Sequence, residues 1–345
     1  MAKNLLNNEK ITSITILQDE SCNYEKEPFK SYFEDLEKNG VHIIQANFAY
    51  EEMTTADMQG ILGGRDVTFD YIWDNASKGP DATARCLVNC AKNWGPKLYS
   101  YVSSAGMYKP TGEFPMPETT PLKESAGQNL FEQFAVDAGL PFVTFRPQYI
   151  YGPKANKYDY IDWYFDRLVR ELPLPIPSDG TQKVSLTNSE DVASLLASVL
   201  NNEEAAIEQR YFNCGTDQLV SYDEVAHLCA KAAGIDADKV MIEHYDHEKL
   251  GKGKFPFRMT DFYVAPDMAK EKLGWAGPSH SLGEDLTWYY DGYKSRGGPS
   301  KEMDLMKDYE IVVGHKTTYD VGSIYDKYDP LIIDTSNVKP LNVEE

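Results

Sequence analysis

The sequence predicts an α/β protein, a doubly wound parallel sheet with a smaller C-terminal α/β domain, on three observations. Apolar, β-branched runs alternate with helix-like stretches through the first half of the chain, the pattern of βαβ units whose sheet is covered on both faces. The texture changes after Pro153, where amphipathic stretches broken by prolines take over. A length of 345 residues with 42% hydrophobic content suits one large domain and a smaller appended one.

In chain order, strands are expected at 11–17, 41–44, 67–73, 98–102 and 142–145, with residues 81–92 and 122–138 as two of the covering helices. Residues 158–172 read as an amphipathic helix, stopped by Pro173, Pro175 and Pro177. Residues 191–200 read as another, with Asp191 placed to cap it. Tyr211–Cys214 is a short strand, and Ser221 and Glu224, three apart, spell a capping box for a helix that stops at Gly234. From Gly297 the chain is sparse in core-forming periodicity and rich in Asp, Lys and Tyr. The expected organisation is a sheet domain over 1–153, a second domain over 154–296 interleaved with the sheet, and an acidic tail over 297–345.

A formal charge of −20 argues against a surface that coats nucleic acid generally, because phosphate binding relies on clustered Lys and Arg. A local basic patch is still compatible with it. No apolar run reaches the roughly 18 residues that a bilayer-spanning helix needs. Cys22, Cys86, Cys90, Cys214 and Cys229 are scattered and odd in number, which fits reduced thiols better than a disulfide framework. Cys86 and Cys90 are expected to pack rather than bind metal, and His244 and His247 to serve a loop.

Two segments carry candidate chemistry. Asp74-Asn75-Ala76-Ser77-Lys78 ends the third expected strand, at the carboxyl edge where α/β sheets place ligands. One reading has Asp74 and Asn75 satisfying loop backbone. The other has Asp74, with Asp70 or Ser104, holding a hydrated Mg²⁺ that activates water or stabilises a phosphorane-like transition state, while Lys78 meets phosphate. The second segment, residues 249–258, has four cations, two aromatics and no acid. Lys252, Lys254 and Arg258 with Phe255 and Phe257 offer the phosphate contacts and stacking rings that looped RNA requires, unless the rings are buried in the small domain. Lys154, Lys157, Arg167 and Arg170 would extend the strip.

Val102-Ser103-Ser104-Ala105-Gly106-Met107-Tyr108, Arg146-Pro147-Gln148-Tyr149-Ile150-Tyr151-Gly152-Pro153, Ser189-Glu190-Asp191-Val192-Ala193 and Lys272-Leu273-Gly274-Trp275 follow one another as in extended short-chain dehydrogenase/reductases, the NAD-dependent epimerase/dehydratase superfamily. The chain resembles that superfamily over residues 1–295, which implies a Rossmann-like sheet. Trp163-Tyr164-Phe165-Asp166-Arg167, Pro173-Leu174-Pro175-Ile176-Pro177 and Phe255-Pro256-Phe257-Arg258 make it similar, within the superfamily, to the chloroplast stem-loop-binding proteins. That resemblance implies RNA binding, Mg-dependent endonucleolytic cleavage if the protein is an enzyme, a plastid stromal location, and RNA with either a homo-oligomer or a ribosome-associated complex as partners. No transit peptide is legible in this sequence. An NAD(P)-dependent nucleotide-sugar epimerase, dehydratase or reductase and a non-catalytic scaffold are the alternatives.

The superfamily's usual chemistry needs a Tyr and, four residues on, a Lys in the helix at 122–138, and a Ser that Ser104 supplies. Asn129 and Gln133 stand in the corresponding places, and neither amide exchanges a proton near neutral pH. The resemblance also calls for a first strand leading into a glycine-rich phosphate loop. Met1-Ala2-Lys3-Asn4-Leu5-Leu6 resembles the end of the helix that follows such a loop, so strand and loop are expected to be missing, and NAD(P) binding is argued against. Ala76 and Ser103 would then be vestigial cofactor contacts. A gap, or a direct altered pairing, is expected between the strands at 11–17 and 67–73.

Overall fold

The computed structural model describes residues 1–21, 29–48, 52–153, 155, 157–314 and 324–325. Two compact units share the chain, the first formed by Met1–Ile150, Thr187–Asp217 and Val264–Ser279, the second by Tyr151–Leu186, Gln218–Tyr263 and His280–Glu345. Strands and helices are numbered along the chain through both.

The first unit holds a parallel sheet in which β3 (Tyr71–Asp74), β4 (Leu98–Val102), β5 (Phe142–Pro147) and β8 (Tyr211–Cys214) are neighbours in that order. Every residue of β5 is buried, as expected of a strand paired on both edges and covered on both faces. On one face α4 (Ala82–Trp94) and α5 (Gly127–Asp137) pack Ala84, Val88 and Phe131 against Tyr99, Tyr101 and Phe142. On the other, α7 (Ser189–Ala197) and α10 (Asp267–Leu273) pack Leu195 and Leu273 against Val143, Phe145 and Phe212. Burying each Val, Leu or Phe side chain in this way contributes about 1.5–3 kcal/mol. The sheet is doubly wound, as the alternation of runs predicts.

α1 (Ala2–Leu6), β1 (Thr15–Asp19), α2 (Phe29–Lys38), β2 (His42–Ala46) and α3 (Thr55–Ile61) precede β3. β1 and β2 pair in parallel with each other, and among the described residues neither pairs with β3. Among the described residues the sheet is interrupted between β1 and β3, so of the two expected outcomes, a gap or a direct altered pairing, the gap is the one seen.

In the second unit β6 (Leu174–Pro177) pairs in parallel with β10 (Ile242–Tyr245), and β7 (Lys183–Ser185) pairs antiparallel with β9 (Leu219–Ser221). α6 (Asp159–Leu168), α8 (Tyr222–Ala233) and α11 (Leu282–Ser295) supply most of its aromatic core, in which Phe165 stacks on Tyr289 and Tyr293. Ser221 and Glu224 form the expected capping box at the start of α8, and Gly234, at φ +70°, ends it.

Several expected boundaries move. The strand expected from 67 begins only at Tyr71, and the helix expected from 122 begins at Gly127. α7 is capped by Asn188 rather than Asp191, whose carboxylate instead accepts the Ser279 N–H at 2.8 Å and hydroxyl at 2.9 Å. Within 297–345, Met306–Gly314 forms a helix, α12, that buries Asp308, Ile311 and Val312. Residues 315–323 and 326–345 of the expected tail lie outside the described residues.

Candidate functional site

Asp74 closes β3 with its side chain buried. Its Oδ1 accepts the backbone N–H groups of Ala76 at 3.0 Å and Ser77 at 2.9 Å, and its Oδ2 accepts the Tyr99 hydroxyl at 2.8 Å. Both oxygens are thus spent on shaping the turn, which is the backbone-satisfying reading of the sequence. Burial and the neighbouring Asp74 charge push the Tyr99 hydroxyl well above its ordinary range, so Tyr99 stays a donor.

Asp70 lies at the opposite end of the strand, roughly 13 Å away along a strand that rises about 3.3 Å per residue. Its carboxylate is exposed and pairs with Lys97 at 3.2 Å. The two carboxylates cannot ligate one Mg²⁺, whose ligands sit about 2.0–2.1 Å from the ion. The expected Asp70 and Asp74 metal site is corrected on that ground. Ser104 caps the short turn Ala105–Met107 by accepting the Gly106 N–H at 3.0 Å, and the buried Ser103 hydroxyl points at the Met107 sulfur, 3.8 Å away. Asn75, Ala76 and Lys78 are exposed. Among the described residues no three His, Cys, Asp or Glu side chains converge as a metal site. Cys86 and Cys90 pack in the core as expected, and burial pushes the Cys90 thiol up to about 11; Cys22 lies outside the described residues.

On α5 the Gln133 amide donates to Asn129 Oδ1 at 3.1 Å, and Asn129 donates to the Lys123 carbonyl at 3.3 Å. The two positions where the resemblance calls for Tyr and Lys hold a mutually bonded amide pair. Among the described residues no glycine-rich turn runs from a strand into a helix beside β3. The residues present do not fit a nicotinamide as hydride carrier.

Arg146, prominent in the sequence signature, is buried at the centre of a polar network rather than free for ligand. It pairs with Glu132 at 2.7 Å and donates to the Tyr108 hydroxyl and the Glu118 carbonyl, each at 3.1 Å. Tyr108 donates in turn to Asn213 Oδ1 at 2.7 Å, and Asn213 donates its N–H to Glu118 Oε1 at 2.9 Å. Burial raises Tyr108 to about 12 and lifts the Glu118 carboxyl above its ordinary range. Gly215 completes this corner, since a Cβ there would lie 2.6 Å from the Val264 carbonyl oxygen.

In the second unit the basic strip at 249–258 differs from its expected form. Phe255 and Phe257, expected to stack on bases, are core residues: Phe255 meets Trp163 and Tyr222 edge-on, and Phe257 stacks on Tyr222 at 5.4 Å. Lys254 is paired with Asp304 at 2.6 Å. Arg167 is buried against Asp308 at 2.6 Å and Arg170 is tied to the Asp166, Gly298 and Lys301 carbonyls, so neither extends the strip; Lys154 lies outside the described residues. The other cations are the exposed Lys252, Lys157 and Lys249, the last two paired with Asp159 at 3.7 Å and Asp246 at 3.2 Å, and the half-buried Arg258, whose guanidinium lies 3.6 Å from the Phe262 ring centre. Partial loss of solvent and the charges of Arg258 and Lys157 lower the Lys252 ammonium from its ordinary value. The half-buried Tyr160 stacks on Phe257 at 6.0 Å and carries Lys157 Nζ 5.0 Å from its ring centre. Sequence reading missed Tyr160, whose only signal was an aromatic three residues after Lys157.

Comparison with known proteins agrees with this fold. Residues 62–215 match the NAD dependent epimerase/dehydratase family. The chloroplast stem-loop binding protein of 41 kDa b of Arabidopsis thaliana, a chloroplastic protein, is 35% identical over 221 residues, which are 62% of this chain and 57% of that protein. A trifunctional UDP-glucose 4,6-dehydratase/UDP-4-keto-6-deoxy-D-glucose 3,5-epimerase/UDP-4-keto-L-rhamnose-reductase of the same plant is 29% identical over 44% of this chain and 21% of its own length. The chain therefore spans little more than half of the first relative and about a fifth of the second. Among solved structures, UDP-glucuronic acid 4-epimerase from Bacillus cereus in complex with NAD superposes with a TM-score of 0.64 over 86% of this chain and 94% of that one, at 15% identity.

Proposed function

From a chain that carries an NAD dependent epimerase/dehydratase domain over residues 62–215, we propose an RNA-binding plastid protein that uses the fold as a scaffold and transfers no hydride. The observation that carries this reading is that Lys157 Nζ lies 5.0 Å from the ring of the half-buried Tyr160, which stacks on Phe257 next to Arg258, and that the charges of Lys157 and Arg258 reach Lys252, in a chain of net charge −20. Cations that position phosphates beside a ring on which a base can stack are what single-stranded loops select. The likeness to a chloroplast stem-loop binding protein supports RNA as the partner and the plastid as the location. The amide pair Asn129 and Gln133 supports the loss of hydride chemistry. Assembly as a homo-oligomer or on a ribosome belongs to the same reading.

Titrating a labelled hairpin RNA by fluorescence anisotropy tests it. The triple variant K157A/K252A/R258A should weaken binding and flatten the dependence of log Kd on log salt by about 0.7–0.9 for each phosphate that the protein no longer neutralises. Unchanged affinity and slope would remove these residues from the site. A second reading, nucleotide-sugar chemistry with NAD(P), is supported by the NAD-containing fold neighbour. UDP-sugars incubated with NAD(P) and followed by chromatography are expected to remain unchanged, and their conversion at ordinary enzymatic rates would favour that second reading.

A further inference from the structure

Just past α9 (His247–Leu250) the basic strip meets the segment that leads into α12, and the two are matched in charge. Lys254 Nζ lies 2.6 Å from Asp304 Oδ2 and donates to the Asp304 carbonyl at 3.1 Å. Four residues on, Asp308 is buried against Arg167, 2.6 Å from Nη2, and the same guanidinium lies 3.9 Å from the Trp163 ring centre. Burial raises the Asp308 carboxyl, and the charges of Arg167 and then Lys254 pull it back. Apolar contact fixes the position of the helix. A Cβ at Gly253, whose φ is +58°, would lie 2.5 Å from Ile311 Cδ1, so α12 rests directly on the turn between Lys252 and Lys254. The helix also touches β6 and β10, and Leu305 packs with Leu172. A pocket of about 450 Å³ is lined from the strip by Lys249, Gly253 and Lys254 and from α12 by Lys307, Glu310 and Ile311.

The two acidic anchors differ in kind. Asp308 and Arg167 are both shut from water, and withdrawing either one strands the other charge in a dry site. The pair of Asp304 with Lys254 is open to solvent on both sides, where an ion pair gains little over its hydrated parts and an ammonium exchanges one anion for another. Asp304 Oδ1 also accepts the Met306 N–H at 3.2 Å at the start of α12, a contact that an uncharged amide makes as well. What the charge adds is an anion at Lys254, on the strip where a phosphate would sit.

We propose that residues 303–314 form an autoinhibitory strap, in which Asp304 takes the place of a phosphate at Lys254 and withholds that cation from RNA, while Asp308 and Ile311 keep the strap seated. The proposal rests on the RNA-binding reading above and deepens it by naming how that site is regulated. RNA held by Lys157, Lys252 and Arg258 gains Lys254 when one of its phosphates displaces Asp304. Only the first residues of the strap turn outward, because the buried Asp308 and Arg167 pair holds the helix in place.

The test repeats the hairpin titration by fluorescence anisotropy on the full chain with Asp304→Asn, with Lys254→Ala and with the two combined. Asn keeps the acceptor for the Met306 N–H and drops only the charge. Asp304→Asn is expected to bind about 2–5-fold more tightly, the range that exposed ion pairs span. Its plot of log Kd against log salt should steepen by about 0.7–0.9, one added phosphate contact, and no gain should appear where Lys254→Ala is already present. Affinity unchanged or weakened by Asp304→Asn would overturn the strap, and so would an equal gain in the Lys254→Ala background, which would mark a general effect of charge. Hairpin binding in those cases leaves the RNA-binding reading standing. A hairpin bound neither by the unaltered protein nor by Asp304→Asn would overturn both readings together.

Discussion

Arg146 and Glu132 show how one residue's chemistry is set by what surrounds it. Each side chain is almost wholly buried, and the pair meets at 2.7 Å with Thr144, Tyr108 and the Glu118 carbonyl satisfying what is left. Hydrogen bonds and the Glu132 charge hold Arg146 firmly protonated against the cost of burial. Removing one partner strands the other charge in a dry site, so Glu132→Ala should cost about 3–5 kcal/mol, read as the shift in urea midpoint. The double variant Arg146→Met/Glu132→Leu should lose less than the sum of the single losses; strict additivity would show that the two side chains do not act as a pair. Phe257→Ala belongs with these, because its ring is fully buried between Tyr222 and Tyr160. Its cost should be of order 3–5 kcal/mol of stability. Any drop in RNA affinity should vanish when measured on the folded fraction.

At the scale of the element, α8 ties stability to pH. Glu224 accepts hydrogen bonds from Lys183 and the Ser221 N–H, which hold its carboxyl down at about 2 against 4.5 for a free glutamate. A carboxyl whose folded value is depressed contributes stability that is complete above about pH 4.5 and is lost as pH falls towards 2. Glu224→Gln should therefore lower stability slightly at neutral pH, change little near pH 2, and so flatten the acid limb of the stability curve between them. The exposure of the pair keeps the contribution small. Ser221→Ala removes the reciprocal cap and should cost about 0.5–2 kcal/mol at any pH. A steep acid limb retained in Glu224→Gln would assign the acid sensitivity elsewhere.

Across the first unit, pairing is uneven. β4 and β5 are bonded along both edges, whereas β3 is bonded only to β4, and β1 and β2 only to each other among the described residues. Backbone groups on a one-sided strand depend on water, and such regions open at lower free energy than a doubly paired core. Hydrogen exchange should therefore protect Leu98–Val102 and Phe142–Pro147 most, and release the amides of Thr15–Asp19 and His42–Ala46 sooner. Equal protection across all of these strands would mean that the interruption between β1 and β3 does not divide the unit energetically.

The sequence by itself determined the class of fold, because strand and helix periods, proline stops and the Ser221 and Glu224 pair act over a few residues. It also determined that Asn129 and Gln133 cannot exchange protons, since that follows from the amide group alone. Tertiary structure decided where chemistry-bearing residues meet. Asp70 and Asp74 looked like neighbours in the chain, yet strand geometry holds them at opposite ends. Phe255 and Phe257 had the composition of a stacking surface, and only packing against Trp163, Tyr160 and Tyr222 turned them inward. Ser178 and His247, 69 residues apart, come together because β6 and β10 pair in one register. Local periodicity states which residues prefer to leave water; which surface receives them, and which polar groups are left facing one another, is settled by packing between residues distant in the chain.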